Sequence, residues 1–597
     1  MKVEEEIIPE EQGLSGFNIA SIIITLFLSV LLALISTYVA LRISALPWPI
    51  IFSVVVSLSI LKIIKRGKPS VHEINVAQAG GTIGGLIAAG IVFVIPAILF
   101  LNSIFGTNMP LPSYIDLVIL ALFGGSLGVS LSMPIRRVVI DEENLPFPSG
   151  LAGAEVIKSG DEGGLKAQVL IQFAALSAVY SVFVFLILPP TIDITLKIAG
   201  FVILISILPW MLAFGSGYIL GPSAAVISWF GGAVIGWGII LPYLLKFNPF
   251  GLTGSPSDIY WGYVSLLRET GMGMVLGTGF AFLVIYAIPK AGKIFKPFME
   301  VRFESPWYTR IPLYLSIASF FALMLIGIHP VLAFIGVIGA WFMSAVAGRI
   351  TGETNIDPLE QFGLFIGLIA LFFGGVLGIS GNLYQSILIT SFVAIAAATA
   401  GDIGHDFKGA QILGTKPIDI VKADLLATIA GAITAPAAFL FLYNINRENF
   451  FVVFTAVQSK IVGIALGGLT YPMYFALGFA LGFLIELVNR LSFMRYGRTT
   501  PLNGMTFGIG LFLGWALAIP FAIGGLIRWI VDSKKPELTE LGIVAAAGIM
   551  GGEGITYYIL PLFLIYGWDV RLFGFTVILG SIAISLIAYW FWISKRG

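Results

Sequence analysis

Long apolar stretches recur along the whole chain and constrain its fold more than any other feature. The stretch from Phe17 to Ile43 reads FNIASIIITLFLSVLLALISTYVALRI, and comparable stretches follow it towards the C-terminus. About 20 consecutive apolar residues form a helix that spans a bilayer. Of the 597 residues, 58% are hydrophobic and only 11% are charged. The pattern predicts an all-α polytopic membrane protein, because a large soluble helical protein would need polar outer faces that these stretches lack.

Hydropathy along the chain predicts about sixteen transmembrane helices, each made of roughly 20 apolar residues. The basic segment Pro289–Pro312 separates two groups of them. We therefore expect an N-terminal tail at 1–16, an N-terminal transmembrane half at 17–295 and a C-terminal transmembrane half at 296–597. The candidate spans are 17–44, 47–64, 80–104, 115–133, 167–188, 194–214, 220–245, 270–289, 311–328, 330–348, 361–380, 383–400, 424–443, 450–470, 472–489, 503–528, 538–565 and 570–593.

Two of these spans are candidate broken or re-entrant helices. Residues 450–470 and 503–528 contain glycine, proline or polar residues that interrupt an apolar helix. The segments Gly217–Trp237 and Asn503–Trp529 also share a paired glycine followed by a tryptophan. This weak similarity favours two duplicated halves, related as parallel repeats like those of some transporters.

Charged residues indicate how the chain is oriented and what it does not bind. Lysine and arginine collect in alternate loops, which is typical of cytoplasmic loops: residues 62–68 and 136–166 each hold four, whereas 102–114 holds none. We expect both termini in the cytoplasm and the protein in the cell membrane. The net charge of +1 argues against nucleic acid as a partner, and a chain with no cysteine has no thiolate metal site. No phosphate-binding loop of the G-x-x-x-x-G-K-[ST] type occurs, so we expect no nucleotide cofactor.

The segment NLPFPSGLAGAEVIKSG, residues 144–160, interrupts the apolar pattern. Pro146 and Pro148 end any helix that arrives from upstream. Ser149 can cap a new helix that runs from about residue 150 to residue 158. Such a helix is too short to span a membrane. Either its free amides face a cavity inside the protein, as in the half-helices of transporters, or it is an ordinary amphipathic loop helix.

Four segments together resemble the oligopeptide transporter family. The run MPIRRVVIDEENLPFPSGLAGAEVIKSG (133–160) is similar to a family segment in which proline, phenylalanine, proline, serine and glycine follow a basic loop. Residues 214–232, 401–417 and 506–529 resemble later family segments in the same order, with Phe407 where the family has leucine. The resemblance implies a secondary transporter that imports small peptides or metal chelates and is driven by the proton gradient.

Proton coupling needs a titratable group inside the membrane, and such groups are usually functional. Glu553 lies near the middle of an apolar span, among glycines, and is either a proton carrier or half of a structural ion pair, for instance with Lys460. Glu155, Asp402 and Asp406 are the next candidates, with His405 beside them. These belong either to the coupling path or to a solvated cytoplasmic surface.

A peptide or a chelate presents carboxylate, ammonium and amide groups to its transporter. Ser149 at the predicted helix start and Lys460 suit a carboxylate, and Glu553 or Glu155 suits an ammonium. Polar residues near glycine or proline suit the amide groups: Tyr218, Asn355, Gln361, Asn382 and Asn503. The sequence does not separate a peptide from a metal chelate, although three histidines far apart argue against bare metal ions.

A passive channel and an intramembrane enzyme are the alternatives from other classes. Glycine-rich segments are compatible with a channel. The chain contains neither H-E-x-x-H nor G-x-G-D, and its one G-x-S-x-G match, residues 124–128, lies inside an apolar span. We therefore expect no catalytic residues and no resident metal.

Overall fold

The computed structural model describes residues 13–43, 50–66, 69–142, 144–145, 147–158, 163–187, 191–198, 200–282, 284–285, 307–354, 357 and 359–565. Within these residues, ten helices are long and apolar enough to cross a membrane, or eleven if one bent pair forms a single span. The helical, polytopic membrane architecture is therefore confirmed, whereas the total of sixteen spans is not. The predicted span 570–593 lies outside the described residues.

The chain packs into two compact units, and each unit combines two separate stretches of sequence. The first unit contains Met1–Ala167 and Tyr286–Gly467, and the second contains Gln168–Ile285 and Gly468–Gly597. Each unit thus takes one stretch from each predicted half. The division into halves concerns duplication rather than packing, and it stays a prediction.

The first unit is built from helices alone in its described part. Its central helix runs from Asn382 to Leu413 and is buried from Ser386 to Ala410. The helices of this unit are α1 (Ile19–Ile43), α2 (Ile50–Ile64), α3 (Val71–Val92), α4 (Ala97–Phe105), α5 (Tyr114–Arg136), α6 (Pro148–Lys158), α12 (Trp307–Leu325), α13 (Pro330–Thr354), α14 (Leu359–Val376), α15 (Asn382–Leu413), α16 (Pro417–Ile445), α17 (Phe450–Val453) and α18 (Val457–Gly467).

Glycines bring helix α3 close to its neighbours in this unit. A methyl group on Gly84 would lie 1.9 Å from the carbonyl oxygen of Ser29 on α1, and one on Gly80 would lie 3.1 Å from the carbonyl oxygen of Ala423 on α16. Small residues permit this close approach of helix backbones inside a membrane. Helix α3 is consequently buried from Glu73 to Val92.

The predicted break within 450–470 is present. The helical stretches Arg447–Val453 and Val457–Gly467 meet at an angle of 106°. Ala456, between them, has the left-handed φ of 43°, which a continuous helix cannot contain. Its amide donates to the carbonyl oxygen of Leu41 at 2.9 Å, so a contact with α1 fixes the bend.

In its described part, the second unit contains α-helices, a β-hairpin and π-helical stretches. Its elements are α7 (Gly163–Ile187), which begins in the first unit, β1 (Ile192–Ile198), β2 (Phe201–Ile207), α8 (Met211–Pro222), the π-helical stretches Ser223–Phe230 and Val234–Ile240 on either side of α9 (Gly231–Ala233), α10 (Leu241–Phe247), α11 (Pro256–Phe282), α19 (Pro472–Tyr496), α20 (Gly504–Leu513), α21 (Trp515–Lys534) and α22 (Thr539–Ile565).

The predicted transmembrane helix at 194–214 is wrong. Residues 192–198 and 201–207 instead form an antiparallel hairpin, in which Ile192 pairs with Ile207 and Ile198 with Phe201. The first strand reads IDITLKI and alternates apolar with polar residues, which is the period of a strand. A hydropathy average over the stretch does not detect this alternation.

The two segments offered as evidence for duplication pack against each other in the second unit. The indole of Trp237 donates to the carbonyl oxygen of Leu511 at 2.8 Å, and the ring of Trp229 stacks on Phe521 with 4.2 Å between centres. Helix α20 ends at Leu513, and Gly514, where φ is +64°, separates it from α21. This confirms that the predicted span 503–528 is broken.

Candidate functional site

Three buried aspartates lie together in the first unit. Asp402 and Asp406 are four residues apart on α15 and therefore share one face of that helix. Asp424 on α16 lies close enough to both for their negative charges to repel one another. The three residues are at most 1% exposed. We call Asp402, Asp406 and Asp424 the acidic cluster.

The acidic cluster has one hydrogen-bond donor among the described residues. The side-chain amide of Gln78, on α3, donates to Asp406 at 2.9 Å. Neither oxygen of Asp402 or of Asp424 has a hydrogen-bond partner in this part of the chain. Thr82 is a neighbour of Asp402, but its hydroxyl donates to the carbonyl oxygen of Ala79 at 2.9 Å. Buried carboxylates normally have partners. This arrangement therefore favours a proton or another cation as the partner of Asp402 and Asp424.

Helix α3 also carries side-chain amide atoms that have no hydrogen-bond partner among the described residues. Gln78 also donates to the side-chain oxygen of Asn75 at 3.4 Å, while its own side-chain oxygen and the nitrogen of Asn75 have no partner among the described residues. Both residues are at most 3% exposed. Donors and acceptors are therefore both available beside the acidic cluster.

A second acidic group adjoins Asp402. Asp357 precedes α14, and its carboxylate lies 3.1 Å from where a methyl group on Gly401 would be. Burial, and after it the charges of Asp402 and Glu360, raise the pKa of Asp357 well above its usual range. Gln361, a predicted substrate-binding residue, is fully buried and donates to Glu360 at 2.6 Å. Gln361 thus hydrogen-bonds the carboxylate whose charge acts on Asp357.

His405 connects the acidic helix to the short helix α6. The amide of Gly150 donates to Nδ1 of His405 at 3.2 Å. The ring of Phe147 packs edge-on against the imidazole, with 5.4 Å between centres. The two segments that carry much of the family resemblance therefore pack directly on each other.

The prediction that Ser149 caps α6 is wrong. The helix begins at Pro148, so Ser149 lies in its first turn. Proline suits the first helical position because it has no amide hydrogen to leave unpaired. The short helix itself is confirmed, and one of its first amides faces His405.

Burial also separates the two interpretations of the acidic residues on α15. Asp402 and His405 are fully buried, and Asp406 is 1% exposed. A solvated surface does not fit that burial. Glu155 lies on α6, but its side chain is outside the described part of the structure, as is the whole of Asn355.

In the second unit, Glu553 lies one residue past the centre of the 27-residue helix α22 and is 2% exposed. It borders a space too narrow for a water molecule, together with Tyr180 and Trp210. The hydroxyl of Tyr180 donates to the carbonyl oxygen of Pro209 at 3.1 Å. Lys460, suggested as its ion-pair partner, belongs to the first unit, where its ammonium lies 4.9 Å from the ring centre of Phe451.

The remaining predicted substrate-binding residues are dispersed. Asn382 donates to the carbonyl oxygen of Leu371 at 2.8 Å and begins α15, about 30 Å along the helix from Asp402 at 1.5 Å per residue. Asn503 caps α20 by accepting from the amide of Thr506 at 3.0 Å. Tyr218 is 5% exposed, and its hydroxyl has no partner among the described residues.

Two residues of this site were not predicted as functional from the sequence, and both lie on helices that begin earlier than predicted. Gln78 lies within α3, which begins at Val71 rather than residue 80; Ser70 and Glu73 form a capping box that marks this start. Asp424 lies two turns inside α16, which begins at Pro417 rather than residue 424. Both signals, S-x-x-E and a proline at the first helical position, are readable in the sequence.

Buried carboxylates on membrane-spanning helices, together with broken helices, are features of secondary transporters. In the described residues, no group of three or more histidine and acidic side chains could hold a metal ion. The features therefore define a polytopic transport protein.

Comparison with known proteins identifies the family. Residues 17–566 match the family model described as OPT oligopeptide transporter protein, and the chain belongs to this family, whose members are transporters. The chain is 22% identical over 577 residues to a Haemophilus influenzae protein named "Putative oligopeptide transporter", covering 85% of this chain and 89% of that protein. It is 21% identical over 496 residues to the iron-phytosiderophore transporter yellow stripe 1 of Zea mays, covering 72% and 70%. A metal-nicotianamine transporter of Arabidopsis thaliana is 23% identical over 488 residues, with the same coverage of 72% and 70%.

Proposed function

We propose that this protein is a secondary active transporter that imports small oligopeptides by proton symport, with alternating access. Asp402, Asp406 and Glu553 are the proposed proton-coupling groups, with Glu155 as a further candidate, and Asp424 joins the first two. The protein acts in the cell membrane with both termini in the cytoplasm, needs no cofactor and catalyses no covalent reaction.

The acidic cluster is the observation that carries the proposal. Three carboxylates lie buried on two helices that are apolar enough to cross a membrane, and two of the three have no partner among the described residues. A charged residue at the centre of a membrane helix costs about 2.5–3.5 kcal/mol on insertion scales. Binding and releasing a proton gives such residues a function that outweighs this cost. The proposed nearby substrate contacts are Gln361 and Ser149. Asn355, Lys460, Asn382, Tyr218 and Asn503 remain further candidates.

A metal chelate is the second candidate substrate. Two of the relatives above are named for iron-phytosiderophore and metal-nicotianamine transport. Such chelates present carboxylate and amine groups like those of a peptide, so the same side chains suit either substrate. We place peptides first because the relative with the greater coverage bears that name.

Uptake by liposomes tests the proposal. Purified protein is reconstituted, and the accumulation of labelled trialanine and of a metal-nicotianamine complex is measured with an acidic exterior. We expect one of them to rise above the outside concentration, and a protonophore to abolish that accumulation. Equal concentrations on both sides, whatever the gradient, would indicate a passive channel, and a chemically altered substrate would indicate an enzyme.

A further inference from the structure

Arg268, in the second unit, is a cation with no anionic partner among the described residues. It lies on α11, and its guanidinium carbon is 5.4 Å from the ring centre of Trp261 and 5.6 Å from that of Phe512. Its Nε is buried and has no hydrogen-bond partner among the described residues. The adjacent Glu269 does not neutralise it, because that carboxylate accepts from the amides of Thr470 and Tyr471 at 2.9 and 2.6 Å.

This arginine lies beside the break between α20 and α21. Phe512, which contacts the guanidinium, is two residues before Gly514, where the helix is interrupted. The residue after the break is Trp515, whose indole N–H is buried and also has no partner in the described part of the unit. A helix break leaves backbone groups free, and transporters place binding sites at such breaks.

A guanidinium offers five N–H donors in a plane whose edge matches a carboxylate. Aromatic rings hold that plane by cation–π contact and supply no hydrogen-bond acceptor comparable to an anion. Leaving a buried donor unsatisfied is costly, and the cost is highest for a charged group. Among the described residues, Arg268 therefore has aromatic partners that fix its orientation and no anion that accepts its hydrogen bonds.

We propose that Arg268, at the Gly514 helix break, binds a carboxylate group of the transported substrate. The proposal rests on the transport function proposed above and specifies one group that the substrate must carry. Peptides and metal chelates both have such a group. A lipid phosphate presents similar oxygens, and the experiment separates the two sources.

The test compares trialanine with its C-terminal amide in the liposome assay. A charge-assisted hydrogen-bonded pair corresponds to a preference of about ten- to a hundredfold in half-saturating concentration for the free acid. Arg268→Gln should abolish this preference by weakening uptake of the acid, and Arg268→Lys should retain only part of it. Arg528→Gln is the matched control. Arg528 already has an anionic partner, Asp532, at 2.8 Å, so this substitution should leave the preference for the free acid unchanged.

Each result supports or overturns the assignment. If Arg268→Gln folds and keeps the wild-type preference for the free acid, the assignment is overturned. If Arg268→Gln does not fold, Arg268→Lys decides, and an Arg268→Lys protein that keeps the full preference overturns the assignment. If wild type takes up only a metal-nicotianamine complex, Arg268→Gln should raise its half-saturating concentration at least tenfold relative to Arg528→Gln, and no rise would refute the site. Thermal unfolding with added phosphatidylglycerol tests the lipid alternative. If Arg268→Gln keeps wild-type uptake but is no longer stabilised by this lipid, the arginine binds lipid and the assignment is overturned. If wild type takes up none of these compounds, the proposed function itself fails.

Discussion

Replacing Gly150 by alanine tests the contact between α6 and the acidic helix. The added methyl group would lie 2.1 Å from the carbonyl oxygen of His405 and 2.8 Å from its carbonyl carbon. These are backbone atoms, so the two helices must move apart by about 1 Å, and overpacking of this kind costs about 1–3 kcal/mol. Losing the hydrogen bond from the Gly150 amide to His405 costs about 1 kcal/mol more. The higher helix propensity of alanine offsets up to about 1 kcal/mol of the total.

Gly153→Ala is the control for that change. It lies on the same helix and gains the same propensity, but its methyl group would meet only side-chain methyls of Ile50 and Val54, at 3.1 and 3.7 Å. Unfolding of both variants in detergent, followed by tryptophan fluorescence during denaturant titration, gives their relative stability. Since the propensity gain cancels, we expect Gly150→Ala to be less stable than Gly153→Ala by about 2–4 kcal/mol. Equal stability would refute the packing of α6 on His405.

Two further substitutions give opposite effects on stability. Because burial and neighbouring carboxylates raise the pKa of Asp357 in the folded state, its protonation stabilises the fold at low pH, and this contribution is lost as the pH rises through the raised value. Asp357→Asn should therefore unfold at a higher temperature than wild type at pH 8, with the difference vanishing near pH 4; a pH-independent difference would contradict this. Gly514→Ala should lower the unfolding temperature, because its φ is +64° and the methyl group would lie 2.4 Å from the ring of Trp237. Gly231→Ala, whose methyl group would meet only a ring atom at 4.0 Å, should not, and equal losses would argue against the break.

The sequence predicted the helical membrane architecture well, because long apolar stretches have few alternatives to a membrane helix. It predicted helix starts poorly. Polar residues such as Gln78 and Asp424 lower the average hydropathy at the ends of their helices, so Gln78 fell just outside its predicted span and Asp424 was the first residue of its span. Capping signals at Ser70 and Pro417 identify the true starts. The hairpin at 192–207 was missed because hydropathy does not distinguish a strand from a helix in a short apolar run.

The candidate site depends on contacts between distant parts of the sequence, which periodicity does not reveal. Asp402 and Asp406 were recognised as candidates from their own helix, but their burial follows from the packing of α3 and α16 around them. Arg268 is similar. Its contact with Phe512 of another helix cannot be read from periodicity, nor can the fact that none of the described residues pairs with it as an anion.

Simultaneous recording of proton and substrate movement tests the central claim most directly. Liposomes that contain a pH-sensitive dye report proton entry while labelled trialanine or the metal-nicotianamine complex is taken up without an imposed gradient. For wild type we expect the interior to acidify as soon as substrate is added. Asp406→Asn and Glu553→Gln should each abolish this acidification while still exchanging substrate across the membrane. Substrate accumulation without proton entry, or acidification in both variants at the wild-type ratio of protons to substrate, would contradict proton coupling through these carboxylates.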